Sequence, residues 1–297
     1  MKDKGDLNMQ SKKEKRTALM QKLSPIFRCP KCGEELWVDE GSRLKCIRSH
    51  SFDLARQGHV HLTKKPAVSN YSSELFAARR EVIEGGLYEK MHEALGELLD
   101  WEGKTILDAG SGEGSHLMAL KKKKDFTGIG TDLAKSGIEM AAKGEDELLW
   151  VVADLAEAPF LDSSFDTVLN IFSPANYEEF HRITKNGGAV LKVVPGSRYL
   201  QELRKLAGES AYSNEDVVEG FYRQFPEAES IKVSFTAAVP ENLRLPLLKM
   251  TPLTWKHTDD KDFQEKARSI KEITIDVLIL KGRIQKQHRS QSGADPS

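Results

Sequence analysis

Long apolar runs, cysteines and net charge are all scarce in this sequence of 297 residues. No uninterrupted apolar stretch approaches the roughly 20 residues that a membrane-spanning helix requires, so an integral membrane protein is excluded. Three cysteines are too few, and odd in number, for a disulfide-stapled secreted scaffold. Residues 1–22 are Lys-rich without a continuous apolar segment, the wrong composition for a secretory signal. A cytoplasmic location is therefore expected. Hydrophobic residues make up 39% of the chain, enough for one sizeable core, or for one ordinary domain plus a small module.

The formal net charge of −1 hides a split. Residues 1–66 hold 15 Lys+Arg against 8 Asp+Glu, whereas the remainder holds 29 against 37. A basic front on an acidic body points to an anionic partner for the front, with nucleic acid foremost. A solvated basic tail without a partner is the alternative.

Four segments follow from the pattern along the chain. Residues 1–27 read as a mostly mobile basic arm, with a short helix over Thr17–Leu23 ending before Pro25. Residues 28–66 hold every cysteine and three of the eight histidines. Residues 67–284 carry a βαβα rhythm that predicts a mostly parallel sheet covered on both faces. The expected strands are Thr105–Ala109, Thr127–Thr131, Leu148–Ala153, Phe165–Ile171, Ala189–Val194, Ile231–Ala238 and Ile273–Leu280. The last two alternate more strongly, so one of them is a candidate antiparallel edge. Two helices split by Gly85-Gly86 precede the first strand, and residues 285–297 read as a disordered tail.

The cysteines define a metal site. Cys29, Cys32, Cys46 and His50 have the spacing C-x2-C-x13-C-x3-H. Zinc takes four tetrahedral sulfur and nitrogen ligands, and a C-x2-C turn sets two thiolates on one side of the ion. Four protein ligands leave no open position, so the metal is expected to be structural. His59 and His61 are fallback ligands that read instead as part of a strand. Lys31, Arg43, Lys45, Arg48 and Arg56 surround the site, where a phosphate backbone could rest.

A second constellation begins at Ile106-Leu107-Asp108-Ala109-Gly110-Ser111-Gly112-Glu113-Gly114, a buried strand running into a glycine turn. A dinucleotide fingerprint spaces its glycines G-x-G-x-x-G and rests a pyrophosphate on the helix N-terminus. Here the spacing is G-x-G-x-G and Glu113 occupies that N-terminus, where its carboxylate would repel a pyrophosphate. The loop suits a nucleoside with a cationic or zwitterionic tail, a description that S-adenosylmethionine fits. Asp132 ends the second strand, placed to accept from both ribose hydroxyls. Asp154 ends the third, placed to meet the adenine amino group, with a helix N-cap as its other reading.

A zinc knuckle joined to such a domain resembles the RlmA family of bacterial 23S rRNA guanine-N1-methyltransferases. The resemblance runs from about Cys29 to Ile284 and leaves the arm uncovered. It rests on Cys29-Pro-x-Cys32, Cys46-x-x-x-His50-x-Phe52-Asp53, Ala78-Arg79-Arg80 with Gly86-Leu-Tyr88, and Leu107-Asp108-x-Gly110-x-Gly112-Glu113-Gly114. Gly130-x-Asp132, Pro159-Phe160, Gly187-Gly188, Pro195-Gly196, Leu203 and Met250-Thr251-Pro252 continue it. The family implies a class I S-adenosylmethionine-dependent methyltransferase fold, Rossmann-like with a seven-stranded sheet, behind a small zinc-binding domain. It implies that Cys29, Cys32, Cys46 and His50 hold zinc, that Tyr88 closes over the cofactor, and that Gly112 and Glu113 contact it. Tyr199 stands where the family has a cofactor-contacting His. The family further implies a homodimer whose zinc modules help form a cleft for an rRNA hairpin, and some relatives confer macrolide resistance.

Methyl transfer from a sulfonium is an in-line displacement, and the guanine N1 proton must leave before or during attack. The loop Asn170-Ile-Phe172-Ser173-Pro174-Ala175-Asn176 is where an acceptor would sit, and it offers no carboxylate before Glu178. Phe172 could stack on an extruded base, or be ordinary core. Arg79 and Arg80 could touch RNA phosphate, or serve the helix surface. Two other functions stay open: a small-molecule methyltransferase, and a non-catalytic RNA-binding protein with a retained pocket.

Overall fold

The computed structural model describes residues 12–39, 42–64, 71–144, 147–209 and 212–286. The expected arm divides at Lys12. Residues 1–11 lie outside the described set, but α1 (Lys12–Leu23) is an ordered helix. It is held because Met20 and Leu23 are buried in the core and Arg16 donates to the backbone carbonyls of Gln57 and Ala142. A mobile arm is therefore corrected to a docked helix over this stretch.

The short strands β1 (Trp37–Val38), β2 (Arg43–Lys45) and β3 (Ser51–Asp53) form an antiparallel sheet around the cysteines. The next strand, β4 (His59–His61), leaves this module and pairs in parallel with a strand of the main sheet. Helices α2 (Ser73–Glu84) and α3 (Glu89–Glu97) follow, separated at Gly85-Gly86 as the pattern predicts. Gly86 has a φ of +86°, a turn conformation that glycine adopts without a Cβ penalty.

The chain then runs β5 (Thr105–Ala109), α4 (Ser115–Lys123), β6 (Thr127–Asp132), α5 (Lys135–Gly144), β7 (Leu148–Val152), β8 (Phe165–Ile171), α6 (Tyr177–Ile183) and β9 (Thr184–Pro195). It closes with α7 (Gln201–Ala207), α8 (Glu215–Gln224), β10 (Glu229–Ala238), α9 (Arg244–Lys249), α10 (Lys261–Arg268) and β11 (Glu272–Arg283). The sheet order is β10-β11-β9-β8-β5-β6-β7-β4. β11 runs antiparallel to both neighbours, so the reversed strand lies one in from the edge and β10, at the edge, points the same way as β9; the expected antiparallel edge is corrected to that extent. Seven strands were expected; β4 adds an eighth to the other edge.

Residue alternation explains why the inner strands read as continuous apolar runs. Leu148, Trp150 and Val152 enter one core with α3, α4 and α5, whereas Leu149 and Val151 enter the other with α1 and the zinc module. Ile106 and Leu107 divide the same way, as do Leu191 and Val190. The zinc module is thus part of one of the two cores. Phe27 bridges to Phe160, and Arg28 N donates to Pro159 O at 3.1 Å.

Candidate functional site

The C-terminal ends of β5, β6 and β8 open into a cavity of about 780 Å³. Tyr88, Asp108, Gly110, Gly112, Glu113, Asp132, Asp154 and Tyr199 all line it. Eight positions spread over 112 residues of sequence therefore converge on one space.

The glycine loop is shaped by its protein neighbours as well as by the space it faces. Gly110 has a φ of +83°, and a Cβ there would lie 2.0 Å from Ser173 Oγ. A Cβ at Gly114 would lie 2.2 Å from the buried Trp150 ring. These two glycines let the loop close against the segment after β8 and against β7. The amides of Gly110 and Ser111 both donate to Thr131 O at 2.9 Å, fixing the loop to β6.

Three carboxyl groups meet at this loop. Asp132 accepts from Gly112 N through Oδ2 at 2.8 Å and from Ala134 N through Oδ1 at 2.7 Å. The loop uses each oxygen once, which leaves a further lone pair on each for a ligand. Asp108 and Glu113 are each 1% exposed, and Asp108 Oδ1 and Glu113 Oε2 have no hydrogen-bond partner among the described residues. Burial first, then the charges of Asp132 and Glu113, push the Asp108 carboxyl up to about 8. Burial likewise raises Glu113 and Asp132. Burial raises all three acids, and Arg79 already relieves Glu113 and Asp132; a cation in the cavity relieves Asp108, which its two acidic neighbours raise further.

Aromatic rings make the opposite wall. Tyr88 Oη and Tyr199 Oη are 2.6 Å apart, and burial raises both phenols. The Phe172 ring centroid is 5.2 Å from that of Tyr199 and 5.8 Å from that of His116. His116 joins this wall without a signal in the sequence; its Nδ1 lies 2.9 Å from His92 Nε2. Burial pushes both imidazoles down, His92 to about 4, so the pair is neutral and one ring donates to the other.

Other candidates turn inward or prove to have local partners. Arg80 Nη2 donates to Glu113 O at 2.9 Å, and Arg79 lines the cavity with Nη2 donating to Met250 O at 3.3 Å. Arg80 thereby braces the cofactor loop, and Arg79 the Met250 side of the cavity wall. Asp154 Oδ1 caps a short helix by accepting from Ala156 N at 2.8 Å while the residue still faces the cavity.

At the zinc module, one ligand atom from each of Cys29, Cys32, Cys46 and His50 lies within 4.8 Å of all the others. Cys32 Sγ is 3.6 Å from Cys46 Sγ, and His50 Nδ1 is 3.4 Å from the Sγ atoms of Cys29 and Cys46. Tetrahedral zinc with ordinary bond lengths places sulfurs about 3.8 Å apart and sulfur and nitrogen about 3.5 Å apart. The four side chains fit such an ion. His59 and His61 stay out of the cluster, His61 Nε2 lying 2.9 Å from Thr63 Oγ1. The surrounding cations are partly neutralised, because Arg43 and Lys45 pair with Asp39 and Arg48 with Glu34.

A family profile described as "RlmA, N-terminal", a zinc ribbon, matches residues 27–65, and one described as "Methyltransferase domain" matches residues 106–192. YxjB of Bacillus subtilis (strain 168), named as a 23S rRNA (guanine-N(1)-)-methyltransferase, is 42% identical over 272 residues. The match covers 86% of this chain and 96% of that relative. The chain belongs to the RlmA family.

The 23S rRNA (guanine(748)-N(1))-methyltransferase of Streptomyces fradiae is 31% identical, over 85% of this chain and 95% of its own length. As an RlmA-family member the chain is an S-adenosylmethionine-dependent methyltransferase with a class I fold, and its Cys/His cluster is a structural zinc site. No helix among the described residues is long and apolar enough to cross a membrane.

Proposed function

We propose that this protein transfers the methyl group of S-adenosylmethionine to N1 of a guanine in a hairpin loop of 23S rRNA. It does so as a cytoplasmic homodimer whose zinc modules help hold the RNA. The observation that carries the cofactor half is the trio Asp108, Glu113 and Asp132, two of whose buried oxygens lack a partner among the described residues. Such a site favours a nucleoside with an ammonium and a sulfonium and opposes one with a pyrophosphate. S-adenosylmethionine, when bound, supplies an electrophilic methyl group.

The residues divide the work of holding it. Asp108 and Glu113 meet the cationic methionine end, and Asp132 accepts from the ribose hydroxyls with lone pairs that Gly112 and Ala134 leave free. Gly110 and Gly112 give the backbone its close approach. Asp154 lies on the adenine side, and the hydrogen-bonded hydroxyls of Tyr88 and Tyr199 fix two rings over the cavity. The Phe172 ring stands on the acceptor side, placed to stack on an extruded base.

Substrate class rests on the relatives' names together with the module in front. Trp37, 47% exposed, and Ile47, 77% exposed, stand on that module as apolar groups for a second copy to cover. Labelled S-adenosylmethionine should transfer its methyl to unmethylated 23S rRNA and not to small metabolites. Primer extension, which stops at a methylated Watson–Crick edge, locates the nucleotide. Transfer to a metabolite alone, or cofactor binding with no transfer at all, would overturn the reading.

A further inference from the structure

Lys192 is a cation in the wrong company. It sits in β9 within Val190-Leu191-Lys192-Val193-Val194, and it is 3% exposed. No carboxylate among the described residues pairs with it; its bonds go to neutral oxygens, Asn170 Oδ1 at 2.6 Å and Ser173 O at 2.9 Å. Burial alone pushes its ammonium down to about 8. An aliphatic residue would fill this strand position without burying a charge, so packing does not explain a lysine here.

The bonds show what the charge holds. Asn170, bridged by Lys192, also donates through Nδ2 to Ala109 O at 2.8 Å and to Pro174 O at 3.1 Å. Ala109 is the last residue of β5 before the glycine turn. Two buried side chains therefore tie the start of the cofactor loop to two carbonyls of the acceptor loop. Between those anchors Phe172 has a φ of +53°, a strained conformation for a residue with a Cβ. Ser173 meanwhile presses against Gly110. Strain of this kind persists only where the surroundings over-determine it.

Resting on the methyltransferase reading above, we propose that Lys192, acting through Asn170 and the Ser173 carbonyl, is a positioning residue for methyl transfer. It fixes the acceptor loop, and with it the Phe172 ring, against the glycine loop, so that the acceptor nitrogen meets the methyl in line. Lys192 does not touch the reacting atoms. In-line displacement depends steeply on alignment, so loosening this clamp lowers turnover rather than binding.

The test compares Lys192→Met and Lys192→Arg with the wild-type full chain on 23S rRNA. A second chamber of about 510 Å³, lined by Lys192, lies behind the loop and has room for a guanidinium. Lys192→Met should lower kcat at least about 30-fold, with KM for RNA and Kd for S-adenosylhomocysteine within about threefold. Lys192→Arg should recover most of kcat. Should Lys192→Met fail to fold, Asn170→Ser, which removes the bridging amide, must give the same split. Unchanged kcat, or parallel loss of kcat, product affinity and melting temperature without recovery in the arginine variant, would overturn the proposal. Wild-type protein inactive on 23S rRNA would instead sink the functional reading on which it rests.

Discussion

The hydroxyl oxygens of Tyr88 and Tyr199 lie 2.6 Å apart across a wall assembled from the end of one helix and the turn after β9. Tyr88 is 2% exposed, so its hydroxyl has no solvent to fall back on. The Tyr199 phenol keeps the cross-cavity hydrogen bond, with one hydroxyl donating and the other accepting.

Tyr199→Phe strips the partner from a buried hydroxyl, which costs about 1–2 kcal/mol. S-adenosylmethionine affinity, measured by calorimetry, should fall roughly 5- to 30-fold. Tyr199→His, which restores a polar partner, should fall less. Equal losses in the two variants would mean that ring shape, not the hydroxyl pair, matters.

Asp108 carries an opposite trade. Its carboxyl is raised, so its ionised form opposes folding, and the cost grows as pH climbs from about 4, the unfolded value, to about 8. Asp108→Asn should therefore raise the melting temperature of ligand-free protein by roughly 3 °C at pH 8, with a smaller gain at pH 5. The same change should weaken S-adenosylmethionine binding at least about tenfold. In the wild type, binding should tighten as pH approaches 8 and release a proton below it. Calorimetry in buffers of different ionisation enthalpy reads that proton.

Metal removal acts through the core that the module shares. Cys29 and Cys46 are buried in a cluster with Phe27, Leu44 and Phe160. Cys29→Ser, or a strong chelator, should abolish zinc content, lower the melting temperature and weaken rRNA binding. Affinity for S-adenosylhomocysteine should change less than about threefold, because Asp108 and Asp132 hang on β5 and β6, inside the sheet. Full zinc loss with rRNA affinity intact would remove the module from RNA recognition.

Helix α1 gives the cleanest packing test. Met20 is fully buried, and Met20→Ala should cost about 2–4 kcal/mol. The urea midpoint should shift with an unchanged slope. A shift below about 0.5 kcal/mol would mean the helix contributes nothing to the core.

The inner strands were legible because burial on both faces leaves a continuous apolar signature, as in Leu148-Leu149-Trp150-Val151-Val152. The cofactor cavity was legible because a glycine turn and strand-end acids have few other uses in combination. His59–His61 was legible as a strand but not as an edge of the main sheet, because three residues acquire that place only from their distant partner on β7. The second half of α1 was legible as a short helix, but its start and its docking were not: few of its residues are apolar, and its buried Arg16 donates to carbonyls 41 and 126 residues away. Arg80 turns to the Glu113 carbonyl and Arg79 to the Met250 carbonyl, directions no spacing rule reveals. Lys192 drew no attention in the sequence, because only the oxygens around it give a lysine among aliphatics a purpose.

The parallel pairing of His59–His61 with Trp150–Val152 covers a flank of the main sheet with the chain that leaves the zinc module. Were the ribbon to let go, Leu148–Val152 would become a bare outer strand of five apolar residues with unpaired amides and carbonyls. Such a ribbon is a template for the next molecule. Loss of that cover would then clear this enzyme from solution as aggregate before cofactor affinity had time to decline.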